Sequence, residues 1–463
     1  MAEKHLYFSH FLARIQVTWF LDKKMYRFIE EELKQWQNDK FRMPLIIRGA
    51  RQVGKSFVVN KFGRENYQEF IEINFEQNTI ASQFFITLEP NEILAKIEIY
   101  AGKRIVPDST LIFFDEIQAC PQALQALRYF KEQRPDIHII AAGSFLDFFL
   151  NTNQVSFPVG RVCFIHMGPM SFQEYLLAKN ENLLLEALQT ASLHKLPLDI
   201  VHVKALNLFQ EYTMLGGMPA VISRYIETKS LLEAKKAQSI ILEGYLHDLL
   251  KYKKRVNYAL LNSILQKVPN LIGKHFKYTH IDRELRSRDI KQVLQQLCWI
   301  GIIQQVYASH SNGLPLKAEI RENKFKLIML DVGLLQNALD IDYNLIVTDG
   351  ILQINSGALA EQVVGQEINT CKFSTKSELF FWEKETRGSS AEIEYVTSIN
   401  SKIIPIEVKA GNTGRIFSIN KFLDEKNLDL GVVVSTKPLA KADRILRIPF
   451  YLIAELERIC ANI

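Results

Sequence analysis

The rhythm of apolar and polar positions changes several times along the chain, and each change predicts a different kind of element. Near the front, LII, LIFF and IIAA are unbroken apolar runs at residues 45–47, 111–114 and 139–142. Runs of this length without polar alternation suit strands buried on both faces, as in a parallel sheet covered by helices. After the first of them, SFVVNKF is helix-length, and Gly63 predicts its end. Residues 176–255 are mostly helical in period, and Gly216, Gly217 and Pro219 interrupt them where a tight turn needs glycine. From Tyr258 the order becomes helix (LLNSILQKVPNLIGKHF), short helix (THIDRELRS), third helix (DIKQVLQQLCWIG), strand (IIQQVYAS), turn and strand (KFKLIMLD). Farther on, after a helix reading SGALAEQVVGQEI, AEIEYVTSINSKIIPIEVKAG alternates with period two on either side of a polar turn at Asn400 and Ser401. That period puts Glu392 and Glu394 on one face of the first strand and Glu407 and Lys409 on one face of the second. Pro405 lacks a ladder donor and so predicts a sheet edge or a bulge.

Length and composition set outer bounds. At 463 residues the chain exceeds what one core serves, and two to four domains of roughly 100–200 residues are expected. Hydrophobic residues at 48% and charged residues at 23% are ordinary globular values, which excludes a disordered, collagenous or disulfide-scaffold chain. The apolar patch FLARIQVTWFL is broken by Arg14, and no run approaches the ~18 apolar residues of a membrane span, so a cytoplasmic protein without a membrane partner is expected. Cys120, Cys163, Cys298, Cys371 and Cys460 lie far apart without a CxxC pair, which argues for reduced core thiols over a zinc site. The net charge of +5 is unevenly placed: residues 251–295 hold eleven Lys and Arg against three Asp and Glu. Such a segment suits phosphates, or is a solvated helical surface.

The chemistry is densest at the front. Gly49, Gly54, Lys55 and Ser56 stand in the spacing GxxxxGKS between an apolar run and a helical one, the signature of a phosphate-binding loop. Glycines let backbone N–H groups close around phosphates at a helix N-terminus. ATP is therefore expected on Gly49, Ala50, Arg51, Gln52, Val53, Gly54, Lys55, Ser56 and Phe57, with Lys55 reaching the β and γ phosphates and the Ser56 hydroxyl on Mg²⁺. The run TLIFFDEIQ ends in Asp115, placed to hold magnesium, and Glu116, placed to polarise the attacking water. Ser144, at the end of HIIAAGS, either senses the γ-phosphate or caps a turn. Arg161 in FPVGRV is either a charge-stabilising finger, acting within one chain or between the chains of a homo-oligomer, or a surface arginine.

GARQVGKS, LIFFDEIQACPQAL, IIAAGS, FPVGRV and MGPMSFQEYL, in that order, resemble a widespread family of bacterial and archaeal AAA-type ATPases. The likeness continues through YTMLGGMPAVI and IIPIEVKAG. The expected fold class is a multidomain α/β protein. It comprises an N-terminal helical segment (1–40), a parallel-sheet P-loop AAA-type ATPase domain (41–175), a helical linker or lid (176–255), a winged helix-turn-helix (256–345) and a restriction-endonuclease-like α/β domain (346–463).

In a winged helix the third helix enters the major groove of double-stranded DNA, and Arg286, Arg288, Lys291, Gln292 and Gln295 lie at or near it here. Winged helices also mediate protein contacts alone. At the back, an acid, a turn and E-x-K resemble the restriction-endonuclease-like superfamily. The resemblance gives Glu394 the first acid's position, Glu407 the second's, Lys409 the lysine's and Glu361 that of a helical acid, with a second Mg²⁺ or Mn²⁺ between them. The first acid is usually Asp, and Glu394 is a methylene longer. The leading expectation is an ATPase coupled to a DNA-associated C-terminal region. A nucleotide-dependent switch for a protein partner, on an inactive nuclease-like scaffold, and an ATP-gated metal-dependent nuclease are the alternatives.

Overall fold

A computed structural model of the chain describes residues 25–152, 157–250, 257–341, 356–373, 379–384, 391–410 and 416–463. The apolar patch at residues 11–21, the basic residues 251–255, the expected boundary at 345/346 and Gly411 lie outside them. The described residues fall into two compact units, those from 25 to 168 with 372–373, and those from 169 to 371 with those from 379 to 463.

The first unit is built on five parallel strands: β1 (Leu45–Arg48), β2 (Glu69–Asn74), β3 (Thr110–Asp115), β4 (His138–Ala142) and β5 (Cys163–His166), in the order β2-β3-β4-β1-β5. The unbroken apolar runs are its interior strands: every residue of β3 and of β4 is buried. One face is a cluster in which Ile112 and Phe114 of β3 meet Ile93, Leu127 and Phe130 of the flanking helices Pro90–Ala101 and Pro121–Gln133. Each large side chain buried there contributes about 1.5–3 kcal/mol against solvent exposure. Gly63 does not end its helix, which runs Lys55–Asn66. A Cβ at Gly63 would stand 2.2 Å from the Phe70 ring, so the glycine serves close packing of helix on strand.

The second unit opens with helices, among them Asp199–Leu215 and Leu231–Leu250, and closes on an eight-stranded mixed sheet. Its strands are β6 (Ile303–Ser309), β7 (Ile320–Met329), β8 (Phe380–Glu383), β9 (Glu392–Ile399), β10 (Lys402–Val408), β11 (Gly431–Ser435), β12 (Ala440–Ala442) and β13 (Ile445–Pro449), in the order β12-β13-β11-β10-β9-β8-β6-β7. The two strands expected as a wing are therefore not a free hairpin: β6 and β7 pair antiparallel, and β6 also pairs in parallel with β8. The short second helix expected at THIDRELRS is only a 3-10 turn, Tyr278–His280, before the helix Ser287–Ile300. Of the five thiols only Cys120 is fully buried, and none of the five is in a disulfide.

The β9–β10 hairpin turns at Asn400 and Ser401, with φ of 49° and 62°, and Ile399 pairs with Lys402. Two left-handed residues in a two-residue loop match the right-handed strand twist. Pro405 marks neither an edge nor a lost ladder bond. The strand lies between β9 and β11. Because Lys409 N donates to Val434 O, the odd-numbered amides of β10 face β11, whose pairing with β10 begins only at Ile406. A bulge does occur, on β9: Trp382 pairs with Ile393 and Phe380 with Val396, so three steps on β9 oppose two on β8. The extra residue falls at Glu394 and Tyr395, which lets Ile393 and Val396 enter the same apolar cluster.

Candidate functional site

Loops leaving the C-terminal ends of β1, β3 and β4 meet at Lys55. The backbone shape begins with Gly49, whose φ is 148° and whose Cβ, if present, would lie 2.1 Å from Met167 O. Gln52 and Gly54 follow with φ of 64° and 98°, so the loop curls left-handed before the helix starts. Ala50 and Val53 turn inward and are buried, while Arg51 is partly exposed and Phe57 exposed.

Lys55 is 5% exposed. Its Nζ donates to Gly49 O at 2.9 Å, Ala50 O at 2.7 Å and Ser144 Oγ at 3.3 Å. Burial pulls the ammonium down to about 8, against the carboxylates of Glu116 and Asp115. Ser56 Oγ donates to Asp115 Oδ2 at 2.9 Å, and Asn74 Nδ2 reaches the same oxygen at 3.0 Å. Burial and the neighbouring Glu116 push the Asp115 carboxyl above its ordinary range. A hydroxyl and a carboxylate side by side beneath a phosphate loop are the donors magnesium takes in such loops, so these residues fit that ion.

Glu116 sits at φ 50°, a left-handed position that turns its side chain back across the strand ends. Its carboxylate accepts from Ser144 N at 3.2 Å, Ser144 Oγ at 3.1 Å and Gln118 Nε2 at 2.7 Å. Lys55, Ser56, Asp115, Glu116 and Ser144 thus form one bonded group. Gln118 belongs to it although sequence reasoning passed over it: it is 5% exposed, and its Oε1 is buried with no partner among the described residues. Gly143 makes room for it, since a Cβ there would lie 2.4 Å from that oxygen. The local signal was the glycine directly before Ser144.

Arg161 is not gathered to this group. Its Nε donates to Glu132 at 2.9 Å, in the last turn of the Pro121–Gln133 helix, and its Nη1 to Gly160 O at 3.3 Å. That helix starts beside the Glu116–Gln118 turn and is about 20 Å long.

In the second unit, Arg286, Arg288, Lys291, Gln292 and Gln295 are all exposed. The last four fall at helical spacing on one face of Ser287–Ile300, while Ile290, Val293, Leu294 and Leu297 bury the other. The acids at the hairpin are not a wet face. Glu407 is 1% exposed; Lys409 Nζ lies 2.6 Å from its Oε1, and its Oε2 has no partner among the described residues. Burial, then the charges of Glu361 and Glu407, push Glu394 up to about 7, and its Oε2 accepts from Val408 N at 3.1 Å. Glu361, buried on the helix Ser356–Thr370, is paired with Lys326 of β7 at 3.1 Å. Among the described residues, no three His, Cys, Asp or Glu side chains converge to hold a metal ion.

Residues 41–176 match the family model described as an AAA domain. Residues 206–345 and 356–451 match two models described as domains of unknown function, DUF8612 and DUF4143. No curated protein matches the chain. Solved structures similar to it include the Walker-type ATPase paby2304 of Pyrococcus abyssi, at 15% identity and a TM-score of 0.42 over 68% of this chain and 96% of that one. They also include the Aeropyrum pernix ORC1 protein in complex with DNA, at 13% identity and a TM-score of 0.31 over 70% of this chain and 95% of that one. A third is the Thermotoga maritima RuvB Holliday junction branch migration motor, at 11% identity and a TM-score of 0.28 over 60% of this chain and 88% of that one. At these scores the likenesses carry no argument about partners. The chain contains an AAA-type, P-loop ATPase-like domain on a parallel sheet, followed by helices and a mixed C-terminal sheet. No helix among the described residues is long and apolar enough to cross a membrane.

Proposed function

We propose that the chain hydrolyses ATP and couples its nucleotide state to a winged-helix-like and nuclease-like C-terminal region that associates with double-stranded DNA. The observation that supports hydrolysis is the bonded group at the strand ends, in which Ser144 links Lys55 to Glu116, Glu116 N donates to Asp115, and Ser56 donates to Asp115. ATP phosphates rest on the loop from Gly49 to Phe57, and Ser56 and Asp115 hold Mg²⁺, which when bound neutralises phosphate charge. Glu116 accepts a proton from, or orients, the attacking water, and Ser144 sits between it and Lys55. Both oxygens of Glu116 accept from Ser144 or Gln118, so the carboxylate turns from one of these donors to take the water.

What supports DNA as the partner is the exposed polar face of Ser287–Ile300, whose Arg288 and Lys291 present cations with no apolar cover. Replacing both by Glu is expected to weaken duplex binding at low salt by about a hundredfold, with each lost phosphate contact also flattening the salt dependence. ATP turnover measured across DNA and RNA substrates tests the coupling. Turnover that no nucleic acid changes removes it.

A second reading, an ATP-gated metal-dependent nuclease, is favoured by one observation: beside Glu394, the buried Oε2 of Glu407 has no partner among the described residues, while Lys409 takes only the other oxygen. Together with Lys409 they are the groups that would hold Mg²⁺ or Mn²⁺ and a phosphodiester there. Lys409→Ala is then expected to lower Mn²⁺-dependent DNA cleavage by about 10²-fold or more. Wild-type protein that cuts nothing, with or without ATP, leaves the region as a scaffold for a protein partner.

A further inference from the structure

Lys326, on β7, is 2% exposed, the most deeply buried lysine among the described strand residues of the second unit. An ammonium is kept out of water where carboxylates or other acceptors replace the lost solvation. Here two do so, from distant parts of the chain. Glu361 Oε1, on the helix Ser356–Thr370, is 3.1 Å from Nζ, and Glu392 Oε1, at the start of β9, is in direct contact with it. The Phe381 ring of β8 lies 5.4 Å from the ammonium. The backbone of His275 bridges to Lys326, and its Nε2 lies 3.0 Å from the other oxygen of Glu392. Glu383, the remaining acid, is taken up by Lys324 at 2.6 Å and by His275 at 3.4 Å. Against the cost of burial, Glu361 and Glu392 hold the Lys326 ammonium above its ordinary range, and His275 and Lys326 hold Glu392 down at about 2.

We infer that Lys326 is a resident cation, occupying the place between Glu361 and Glu392 that a divalent ion would otherwise take, so that Glu361 is withheld from metal. An ammonium held on Glu361 Oε1 disfavours a metal ion on the same carboxylate, since the like charges repel at this separation and the ammonium already offsets the carboxylate's charge. Of the four residues that the hairpin resemblance groups together, only Glu394, Glu407 and Lys409 then remain for any cation chemistry. The inference is independent of whether the region cuts DNA.

Mn²⁺ titration of the full chain without nucleotide, followed by electron paramagnetic resonance, tests it. Glu361→Gln in the otherwise native chain is expected to change Mn²⁺ affinity by less than about twofold, whereas Lys326→Gln gains a site at least about tenfold tighter than any it had, lost again in Lys326→Gln/Glu361→Gln. A roughly tenfold loss on Glu361→Gln alone shows Glu361 already ligating metal and overturns the inference. A folded Lys326→Gln without a new site overturns it equally. Should Lys326→Gln be unfolded, millimolar Mn²⁺ must restore its helical circular dichroism, and failure to do so counts against the resident cation.

Discussion

Lys55→Ala is expected to abolish ATP binding and Glu116→Gln to preserve it, while both reduce turnover by about 10²-fold or more. The difference follows from what each side chain touches. The Lys55 ammonium is the buried cation of the phosphate loop and is fastened to Gly49 O, Ala50 O and Ser144 Oγ. Without it the loop loses its charge and leaves two carbonyls without their donor. Because burial has already pulled that ammonium down to about 8, arriving phosphates strengthen its charged form instead of competing with solvent for it. Among the described residues the Glu116 carboxylate bonds no atom of the phosphate loop. Its partners are Ser144 and Gln118, and an amide can keep those bonds by turning, yet cannot accept a proton from water. Binding measured with a fluorescent ATP analogue and phosphate release measured on the same preparations separate the two variants. Undiminished phosphate release from Glu116→Gln would remove Glu116 from the chemistry, and ATP binding by Lys55→Ala at native affinity would remove the phosphate loop from it.

The strand, loop and helix that carry Lys55 are legible in the sequence because every cue is local. An apolar run, glycines where φ turns positive, and a helix starting at the lysine lie within a couple of dozen residues. TLIFFD is legible for the same reason, since a strand buried on both faces cannot hide its composition. What escapes sequence reading depends on partners far along the chain. Nothing in IIQQVYAS says that its neighbour is Phe380 instead of a free wing, because a ladder is specified by both strands and by what covers them. Lys326 reads as one polar residue in an alternating strand until Glu361 and Glu392 arrive from 35 and more residues away. The period-two rule also fails at one residue of β9, where the bulge at Glu394 sets Ile393 and Val396 on the same apolar side. Such a shift is decided by packing against β8, which single-strand alternation cannot report.

Gly217→Ala is the substitution expected to cost the second unit most, about 3 kcal/mol or more, and the reason lies in the GGMP turn. Gly216 ends the helix Asp199–Leu215 with φ 74°, and a Cβ there would meet Asp331 Oδ1 at 2.1 Å. At Gly217 the obstacle is backbone: a Cβ would lie 2.1 Å from Met170 O, and that carbonyl is fixed by Tyr212 Oη at 2.8 Å. Met170 N in turn donates to Gly217 O at 2.6 Å, so the two segments cannot separate without breaking their own bonds. Flexible side chains can yield to an intruding methyl; a carbonyl whose residue is bonded at both N and O cannot. Gly217 N also donates to the fully buried Asp331 at 2.6 Å, and Asp331 caps the next helix through Leu334 N at 3.0 Å. Removing that carboxylate by Asp331→Ala strands both amides and is expected to cost about 2–4 kcal/mol, since each unsatisfied buried donor carries a penalty of roughly 1–3 kcal/mol. Gly313→Ala is the control, because nothing lies within 4 Å of its Cβ position. Chemical denaturation of the three variants beside the native chain should place Gly217→Ala and Asp331→Ala well below it and Gly313→Ala level with it. A Gly217→Ala midpoint indistinguishable from that of Gly313→Ala would mean the turn opens in solution, and with it the bond between Met170 and the GGMP segment.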